Sequence, residues 1–116
     1  MAGGVTIWHN PRCSNSRGAL QLLRERGIQP VVVDYLAEPP DTATLHQVAA
    51  DSGLGLRGLV REKEPLFREL GLADADEATL LEAMQKHPVL INRPVVIAPR
   101  GTRLCRPPET VLELLD

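Results

Sequence analysis

Short apolar runs and longer amphipathic stretches alternate along the first third of the chain, and they predict strands and helices in turn. Residues 5–8 are β-branched and aromatic, which is typical of a strand. From about Ser14 apolar residues recur at helical spacing until Gly27, where glycine can end the helix. The apolar run Val31–Val33 predicts a second, buried strand. Because a helix joins these two strands, they should pair in parallel as a βαβ unit.

The middle of the chain is predicted to be helical throughout. Asp41 can cap a helix that ends near Gly53, and Asp76 can cap another that runs to Pro88. Shorter helical pieces are expected between these two, at residues 57–60 and 65–70.

The last third of the chain returns to strands. A third strand is predicted at residues 95–97, followed by a turn over 99–102 and a fourth strand over 103–106. So short a connection requires the two strands to be antiparallel. A final helix should open at Pro107 and Pro108, because proline is favoured in a first helical turn.

This order of elements predicts an α/β protein with a thioredoxin-like fold, although another small α/β sandwich is the alternative. The expected architecture is a four-stranded mixed β-sheet flanked by helices, with a helical insertion after the second strand. The length of 116 residues fits a single thioredoxin-like domain over residues 1–116. In such folds a cysteine follows the first strand at the start of the first helix, and Cys13 occupies that place.

Composition and charge exclude several classes of function. The net charge of -2 gives no general attraction to nucleic acid or to an anionic membrane. No apolar run approaches the roughly 20 residues of a membrane span, and the N-terminus lacks the pattern of a signal peptide. We therefore expect a cytoplasmic protein that binds neither nucleic acid nor membrane. In that reducing compartment Cys13 and Cys105 are not expected to form a stabilising disulfide.

Cys13 lies in a polar loop that runs directly into the predicted helix, and this position favours a reactive thiolate. The N-terminus of a helix carries partial positive charge, which lowers the pKa of a nearby thiol. His9, Arg12 and Arg17 surround the cysteine and are expected to add positive charge. An inert buried cysteine is the alternative, but a loop this polar is poorly suited to burial.

The cysteine has no partner at the spacing that redox proteins of this fold often use. Ser16 occupies the position of the second cysteine in a Cys-x-x-Cys motif. Cys13 can therefore form an adduct or a mixed disulfide but cannot close a local disulfide. Its reductant must come from outside, for example from glutathione, or from Cys105 if the fold brings that residue near. We expect Cys105 instead to be a strand residue that packs near the site.

An oxyanion site is the natural companion of such a thiolate. The backbone N–H groups of a first helical turn bind anions, and here that turn holds Ser14, Asn15 and Ser16. Arginines from separated segments could add the cations that an attack on an oxyanion needs, namely Arg61, Arg93 and Arg106. A single arginine is more often a surface residue. Arg93, however, precedes Pro94 in the loop where thioredoxin-like folds place a cis-proline opposite the cysteine.

Three segments of the chain resemble those of the glutaredoxin-linked arsenate reductases. They are HNPRCSNSR at residues 9–17, HPVLINRP at 87–94 and GTRLCRP at 101–107. The resemblance extends from about Val5 to Leu115. It implies a thioredoxin-like fold and reduction of arsenate to arsenite, with Arg61, Arg93 and Arg106 matching the family's three anion-binding arginines. His9 matches a family residue that helps to lower the pKa of the cysteine.

The resemblance also implies an order of steps. Cys13 attacks arsenic and displaces water, which gives a thiol-arsenate adduct. Glutathione then attacks the adduct, arsenite leaves, and glutaredoxin reduces the mixed disulfide that remains on Cys13. Glutathione would be a reducing co-substrate, and no bound cofactor is expected. No metal is expected either, because His46 and His87 show no metal-ligand spacing with either cysteine.

Two related branches remain as alternatives. The Pro-Arg-Cys-Ser sequence around Cys13 also looks like that of reductase-like proteins, which would act as thiol oxidoreductases on another small substrate or on glutathione mixed disulfides. The segment from Leu104 to Pro107 resembles the arsenate-reducing group instead. Transcription regulators that share the fold and bind RNA polymerase typically carry Cys-x-x-Cys, and Ser16 argues against that non-enzymatic role.

Overall fold

A computed structural model describes residues 4–115 of the chain. The chain divides into two compact units. The first comprises Met1–Glu38 and Arg93–Asp116, and the second comprises Pro39–Asn92. The expectation of a single domain over residues 1–116 stays a prediction.

The first unit is built on a four-stranded sheet, as the sequence predicts. Its strands are β1 (Thr6–Trp8), β2 (Val31–Val33), β3 (Val95–Ala98) and β4 (Gly101–Leu104). They lie in the order β2-β1-β3-β4, with β1 parallel to β2 and with antiparallel pairing of β1 to β3 and of β3 to β4. The mixed sheet, the parallel βαβ unit and the antiparallel return of the last strand are therefore confirmed.

The prediction that β2 is buried is wrong. The side chains of Val31 and Val32 are 59% and 43% exposed. The order of strands explains the difference, because β2 lies at the edge of the sheet beside β1. A continuous apolar run predicts a strand in this case but not its position in the sheet.

The turn between β3 and β4 is shorter than predicted. Ala98 pairs directly with Gly101, so that Pro99 and Arg100 alone form the turn and β4 begins two residues earlier than expected. Gly101 has a φ of 148°, a conformation that glycine adopts most readily. As a result β4 ends at Leu104, and Cys105 follows the strand rather than belonging to it.

Helix α1 (Ser14–Glu25) packs on the sheet of the first unit and against a 3₁₀ helix, Pro108–Leu114. The final helix is thus present, but it takes the tighter 3₁₀ form. A Cβ atom built on Gly18 would lie 3.0 Å from Cγ of Pro108, so the absence of a side chain permits this close packing. The core of this unit consists of buried residues from the sheet, both helices and the segment after β4: Ile7, Ala19, Leu20, Leu23, Val96, Cys105, Val111 and Leu114.

The second unit is the helical insertion after β2 that the sequence predicts. Its α-helices are α2 (Thr42–Asp51), α3 (Gly55–Leu59), α4 (Pro65–Glu69) and α5 (Glu77–Lys86), with 3₁₀ turns at Leu72–Asp74 and Pro88–Leu90. Both predicted caps are confirmed, because Asp41 accepts a hydrogen bond from the Thr44 N–H and Asp76 from the Thr79 N–H, each at 2.8 Å.

The helices of the described residues are too short or too polar to cross a membrane.

Candidate functional site

Cys13 is the N-cap residue of α1, at the point where the chain leaves β1 and its loop. Its backbone is extended, with φ of -94° and ψ of 122°, and its N–H donates to the carbonyl oxygen of Asn10 at 3.0 Å. The side chain is partly exposed. This is the position that the sequence predicts for a nucleophile.

The structure lowers the pKa of Cys13 below its ordinary value. Burial acts to raise this pKa, but the backbone N–H groups of Ser16 and Asn15 and the guanidinium groups of Arg93 and Arg106 outweigh it. The direction agrees with the sequence-based expectation, and so does the contribution of the helix N-terminus through the N–H groups of Ser16 and Asn15. The expected contribution of nearby cations differs, because the guanidinium groups that lower this pKa are those of Arg93 and Arg106, and not that of Arg12 or Arg17.

Arg106 lies directly beside the thiol. Its Nη1 is 3.6 Å from Sγ of Cys13 and also donates to the carbonyl oxygen of Arg93 at 3.1 Å. Both arginines precede a cis-proline, since the Arg93–Pro94 and Arg106–Pro107 peptide bonds are cis. The sequence singled out the first of these bonds and not the second.

Arg93 carries buried N–H groups that are not satisfied. Its Nε and Nη1 atoms are buried and have no hydrogen-bond acceptor among residues 4–115. A buried donor without a partner costs free energy, about 1–3 kcal/mol in typical cases. A bound oxyanion would supply acceptors to a guanidinium group of this kind, because its donors suit oxyanions. Arg93 and Arg106 together therefore form a candidate oxyanion site next to Cys13.

Arg61, the third predicted arginine, belongs to the second unit. Its N–H donates to the carbonyl oxygen of Leu90 at 2.7 Å, and its Nε lies 4.0 Å from the carboxylate of Glu64. The assignment of Arg61 to the anion site stays a prediction.

The three residues of the first helical turn differ in exposure. Ser14 is exposed, Asn15 is half-buried and Ser16 is fully buried. The hydroxyl group of Ser16 accepts a hydrogen bond from the Asn10 N–H at 2.9 Å and lies 2.7 Å from Nδ1 of His9. Its side chain is thus engaged inside the protein, and only its backbone N–H faces the thiol.

His9 does not supply the positive charge that the sequence suggested. Burial lowers its pKa below the ordinary value, and the nearby charges of Arg24 and Arg17 lower it further, whereas Asp34 acts to raise it. The lowered pKa disfavours the charged imidazolium form. His9 contacts the first turn of α1 through the hydrogen bond between its Nδ1 and the Ser16 hydroxyl group.

Cys105 is a core residue and not a second reactive thiol. Its side chain is fully buried, and burial, reinforced by the charge of Glu113, raises its pKa to about 12. Its N–H donates to the carbonyl oxygen of Pro94 at 2.9 Å, which ties it to the segment that carries Arg93. It remains a free, protonated cysteine.

A cleft of about 620 Å³ lies beside the cysteine loop and along α1. His9 and Pro11 line its end at the loop, and Arg17 and Arg24 line its side on α1. Arg17 is also bound to the loop, because its Nη1 donates to the carbonyl oxygen of Pro11 at 2.8 Å. The cleft therefore offers two guanidinium groups within a few helical turns of Cys13.

Sequence reasoning missed two buried polar residues of the site, Asn10 and Tyr35. Asn10 is 6% exposed and Tyr35 is fully buried. An asparagine before a proline is typical of a loop, and the pattern of hydrophobic and polar positions does not indicate that its side chain is buried. Within residues 4–115 no group of three or more His, Cys, Asp and Glu side chains could hold a metal ion.

Comparison with known proteins gives matches over nearly the whole chain. Residues 8–114 match the ArsC family. An arsenate reductase of Rhizobium meliloti is 53% identical over 96% of this chain and 81% of its own length. The protein YfgD of Escherichia coli, whose name assigns no activity, is 48% identical over 99% of both chains. The solved structure of an arsenate reductase from Vibrio cholerae is 42% identical, covers 99% of this chain and all of its own, and superposes with a TM-score of 0.94. The predicted thioredoxin-like fold is thereby confirmed.

Proposed function

This chain belongs to the ArsC family, and on that premise we propose that it reduces arsenate to arsenite with Cys13 as its single redox thiol. The observation that carries the proposal is the position of Cys13 beside Arg106 and Arg93. The thiolate is stabilised there, and Arg93 carries buried N–H groups that have no acceptor among residues 4–115. The similar arsenate reductase of Rhizobium meliloti supports arsenate as that oxyanion.

The first step is an attack by the Cys13 thiolate on arsenic. A sulfur–arsenic bond forms, and one arsenate oxygen leaves as water after taking up protons. The attack brings an anion toward an anion, so cations must offset the repulsion. Arg93 and Arg106 supply them in the first unit, and we assign the same role to Arg61 in the second unit. The first-turn N–H groups of α1 add donors for the remaining oxygens.

The second step reduces arsenic. A glutathione thiolate attacks the Cys13 sulfur, so that a disulfide bond forms, the sulfur–arsenic bond breaks and its electron pair stays on arsenic. Each sulfur loses one electron, arsenic gains two, and arsenite leaves. A thiol from outside is required, because Ser16 replaces a resolving cysteine and Cys105 is buried and protonated.

The cleft along α1 supports glutathione as that thiol. Glutathione is a tripeptide with two carboxylates, and the cleft of about 620 Å³ is within the usual range for ligand sites of this size. Arg17 lies one helical turn from Cys13, and Arg24 lies two turns further along the same face. A tripeptide whose sulfur approaches Cys13 can extend its carboxylates toward these guanidinium groups.

Glutaredoxin completes the cycle in this proposal. Its thiol attacks the glutathione sulfur of the mixed disulfide, which releases the Cys13 thiolate and carries glutathione away as a new mixed disulfide. These reductants belong to a reducing compartment, so we assign the activity to the cytoplasm.

The test is a coupled assay of arsenate reduction with glutathione and a competent glutaredoxin. Wild-type protein should turn over, Cys13→Ser should lose turnover, and Cys105→Ala should retain it. Omission of glutathione or of glutaredoxin should each stop the cycle. Folded wild-type protein that gives no turnover with all components present would refute the proposal.

A second candidate is a thiol oxidoreductase that acts on glutathione mixed disulfides, and the Pro-Arg-Cys-Ser sequence around Cys13 supports it. The same Cys13 thiolate would attack the glutathione sulfur of a mixed disulfide directly. The two candidates differ in their need for the oxyanion site. Turnover of a glutathione mixed disulfide without measurable arsenate binding would favour the second.

A further inference from the structure

Asn10 is a buried polar residue in the loop of residues 9–13, which joins β1 to α1, and it forms hydrogen bonds both within this loop and outside it. Its N–H donates to the Ser16 hydroxyl group at 2.9 Å, and its carbonyl oxygen accepts the N–H of Cys13 at 3.0 Å. Its Oδ1 accepts the N–H of Arg12 at 3.0 Å, and its Nδ2 donates to the Tyr35 hydroxyl group at 3.3 Å. Four hydrogen bonds of one residue therefore join the loop, the first turn of α1 and the segment after β2.

We propose that Asn10, held by Tyr35, is a positioning residue that fixes the Cys13 sulfur and the first-turn N–H groups of α1 in the geometry for attack. The side chain of Asn10 carries this role, because it forms two of the four hydrogen bonds. The amide group offers an acceptor to Arg12 and a donor to Tyr35 at the same time. An aliphatic side chain of similar size can do neither, and an ionised aspartate can accept but cannot donate.

Tyr35 gives this arrangement a fixed reference point. Its side chain is completely buried, and its hydroxyl group accepts the Asn10 amide from a segment 25 residues further along the chain. The hydrogen bond to Tyr35 therefore ties the loop to a buried residue outside it. Buried polar networks of this kind hold a geometry rigidly when every member is satisfied.

The geometry that Asn10 holds is the one that the thiolate needs. The backbone N–H groups of Ser16 and Asn15 stabilise the Cys13 anion, and Ser16 itself is fixed by its bonds to Asn10 and His9. If the loop shifted, the sulfur would move away from these donors and from Arg106. Displacements of about 1 Å are enough to lower reaction rates substantially.

The experiment measures iodoacetamide alkylation of Cys13 as a function of pH in Asn10→Ala, Tyr35→Phe and the double variant. Alkylation measures the reactivity of the Cys13 thiolate and needs no arsenate. The role of Asn10 in catalysis rests on the proposed function, but this experiment can fail or succeed independently of arsenate reduction. We expect Asn10→Ala to alkylate about tenfold more slowly below neutral pH. Tyr35→Phe should show a smaller loss in the same direction. The double variant should be no slower than Asn10→Ala, since both changes remove the same hydrogen bond.

Asp76→Ala is the matched control, because it removes a side-chain hydrogen bond from the cap of α5 in the second unit. It should lower thermal stability and leave the alkylation profile unchanged. In the arsenate assay, Asn10→Ala should lower kcat more than it changes the KM for glutathione. A folded Asn10→Ala protein with the wild-type profile would overturn the inference. If Asn10→Ala does not fold, a wild-type profile in Tyr35→Phe overturns it equally.

Discussion

The guanidinium group of Arg106 lies 3.6 Å from the sulfur of Cys13, although 93 positions separate the two residues. The same group also donates to the backbone carbonyl oxygen of Arg93. One side chain thus joins the nucleophile to the loop that carries the second arginine of the candidate oxyanion site.

Arg106→Gln should raise the pKa of Cys13 and lower kcat/KM for arsenate by about 100-fold, because it removes a charge that stabilises both the thiolate and the oxyanion. Steady-state kinetics and a pH profile of alkylation measure the two effects. Arg103→Gln is the control, since Arg103 pairs with Glu113 at 3.5 Å and not with the thiol. Equal losses in the two variants would contradict a specific role for Arg106.

Arg93→Met should abolish oxyanion binding without destabilising the fold. The substitution removes buried donors that have no acceptor among the described residues, so the free energy of unfolding should stay the same or rise by about 1 kcal/mol. Thermal unfolding and titration with arsenate measure stability and binding separately.

Arg57→Met is the contrasting variant for that experiment. The guanidinium group of Arg57 donates to the carbonyl oxygens of Leu72, at 2.9 Å, and Ala75. Its loss should therefore lower the free energy of unfolding, by about 1 kcal/mol. If Arg93→Met proved as destabilising as Arg57→Met, the Arg93 guanidinium would be a structural group and not an anion ligand.

The two cysteines should alkylate in different pH ranges. The pKa of Cys13 is lowered, so its thiolate persists to pH values below those at which free cysteine reacts. The pKa of Cys105 is raised to about 12, and the residue is buried, so it should stay unmodified at pH 8 in the native protein. Mass spectrometry should find one alkyl group on native protein and two after denaturation. Modification of Cys105 in the native state, or a Cys13 profile like that of free cysteine, would contradict this.

Arg24→Gln should raise the KM for glutathione several-fold and leave reduction by a small neutral thiol unchanged, because it removes a charge from the cleft along α1. The thiolate of Cys13 should keep its reactivity, since Arg24 is not among the groups that shift the pKa of Cys13. Arg26→Gln is the matched control at the end of the same helix, outside the cleft. An unchanged KM in Arg24→Gln would exclude the cleft as the glutathione site.

Most of the secondary structure follows from local patterns. The helix α1, the caps at Asp41 and Asp76 and the antiparallel return after β3 all depend on residues within a few positions of one another. The wrong predictions concern features that depend on contacts between segments far apart in the chain. The run Val31–Val33 predicts a strand, yet whether it lies at the centre or the edge depends on which strands pair with it.

The charges around Cys13 also separate what neighbouring residues predict from what distant residues decide. Sequence proximity assigned the thiolate's stabilisation to His9, Arg12 and Arg17. In the structure the guanidinium group of Arg17 donates to the carbonyl oxygen of Pro11, and partial burial and nearby arginines lower the pKa of His9. The stabilising cations come instead from Arg93 and Arg106, which the sequence assigned to the oxyanion site and not to the stabilisation of the thiolate.

The sequence by itself determined that a lone cysteine begins a helix after the first strand, and that no second cysteine stands three positions later. Both depend on residue identity and local periodicity. Only the tertiary structure decided that Arg106 contacts the sulfur directly, that Cys105 is protonated in the core, and that Asn10 turns inward to Tyr35. The physical reason is that burial and electrostatic interactions depend on distance in space, which a folded chain sets by its strand order and packing and not by its numbering.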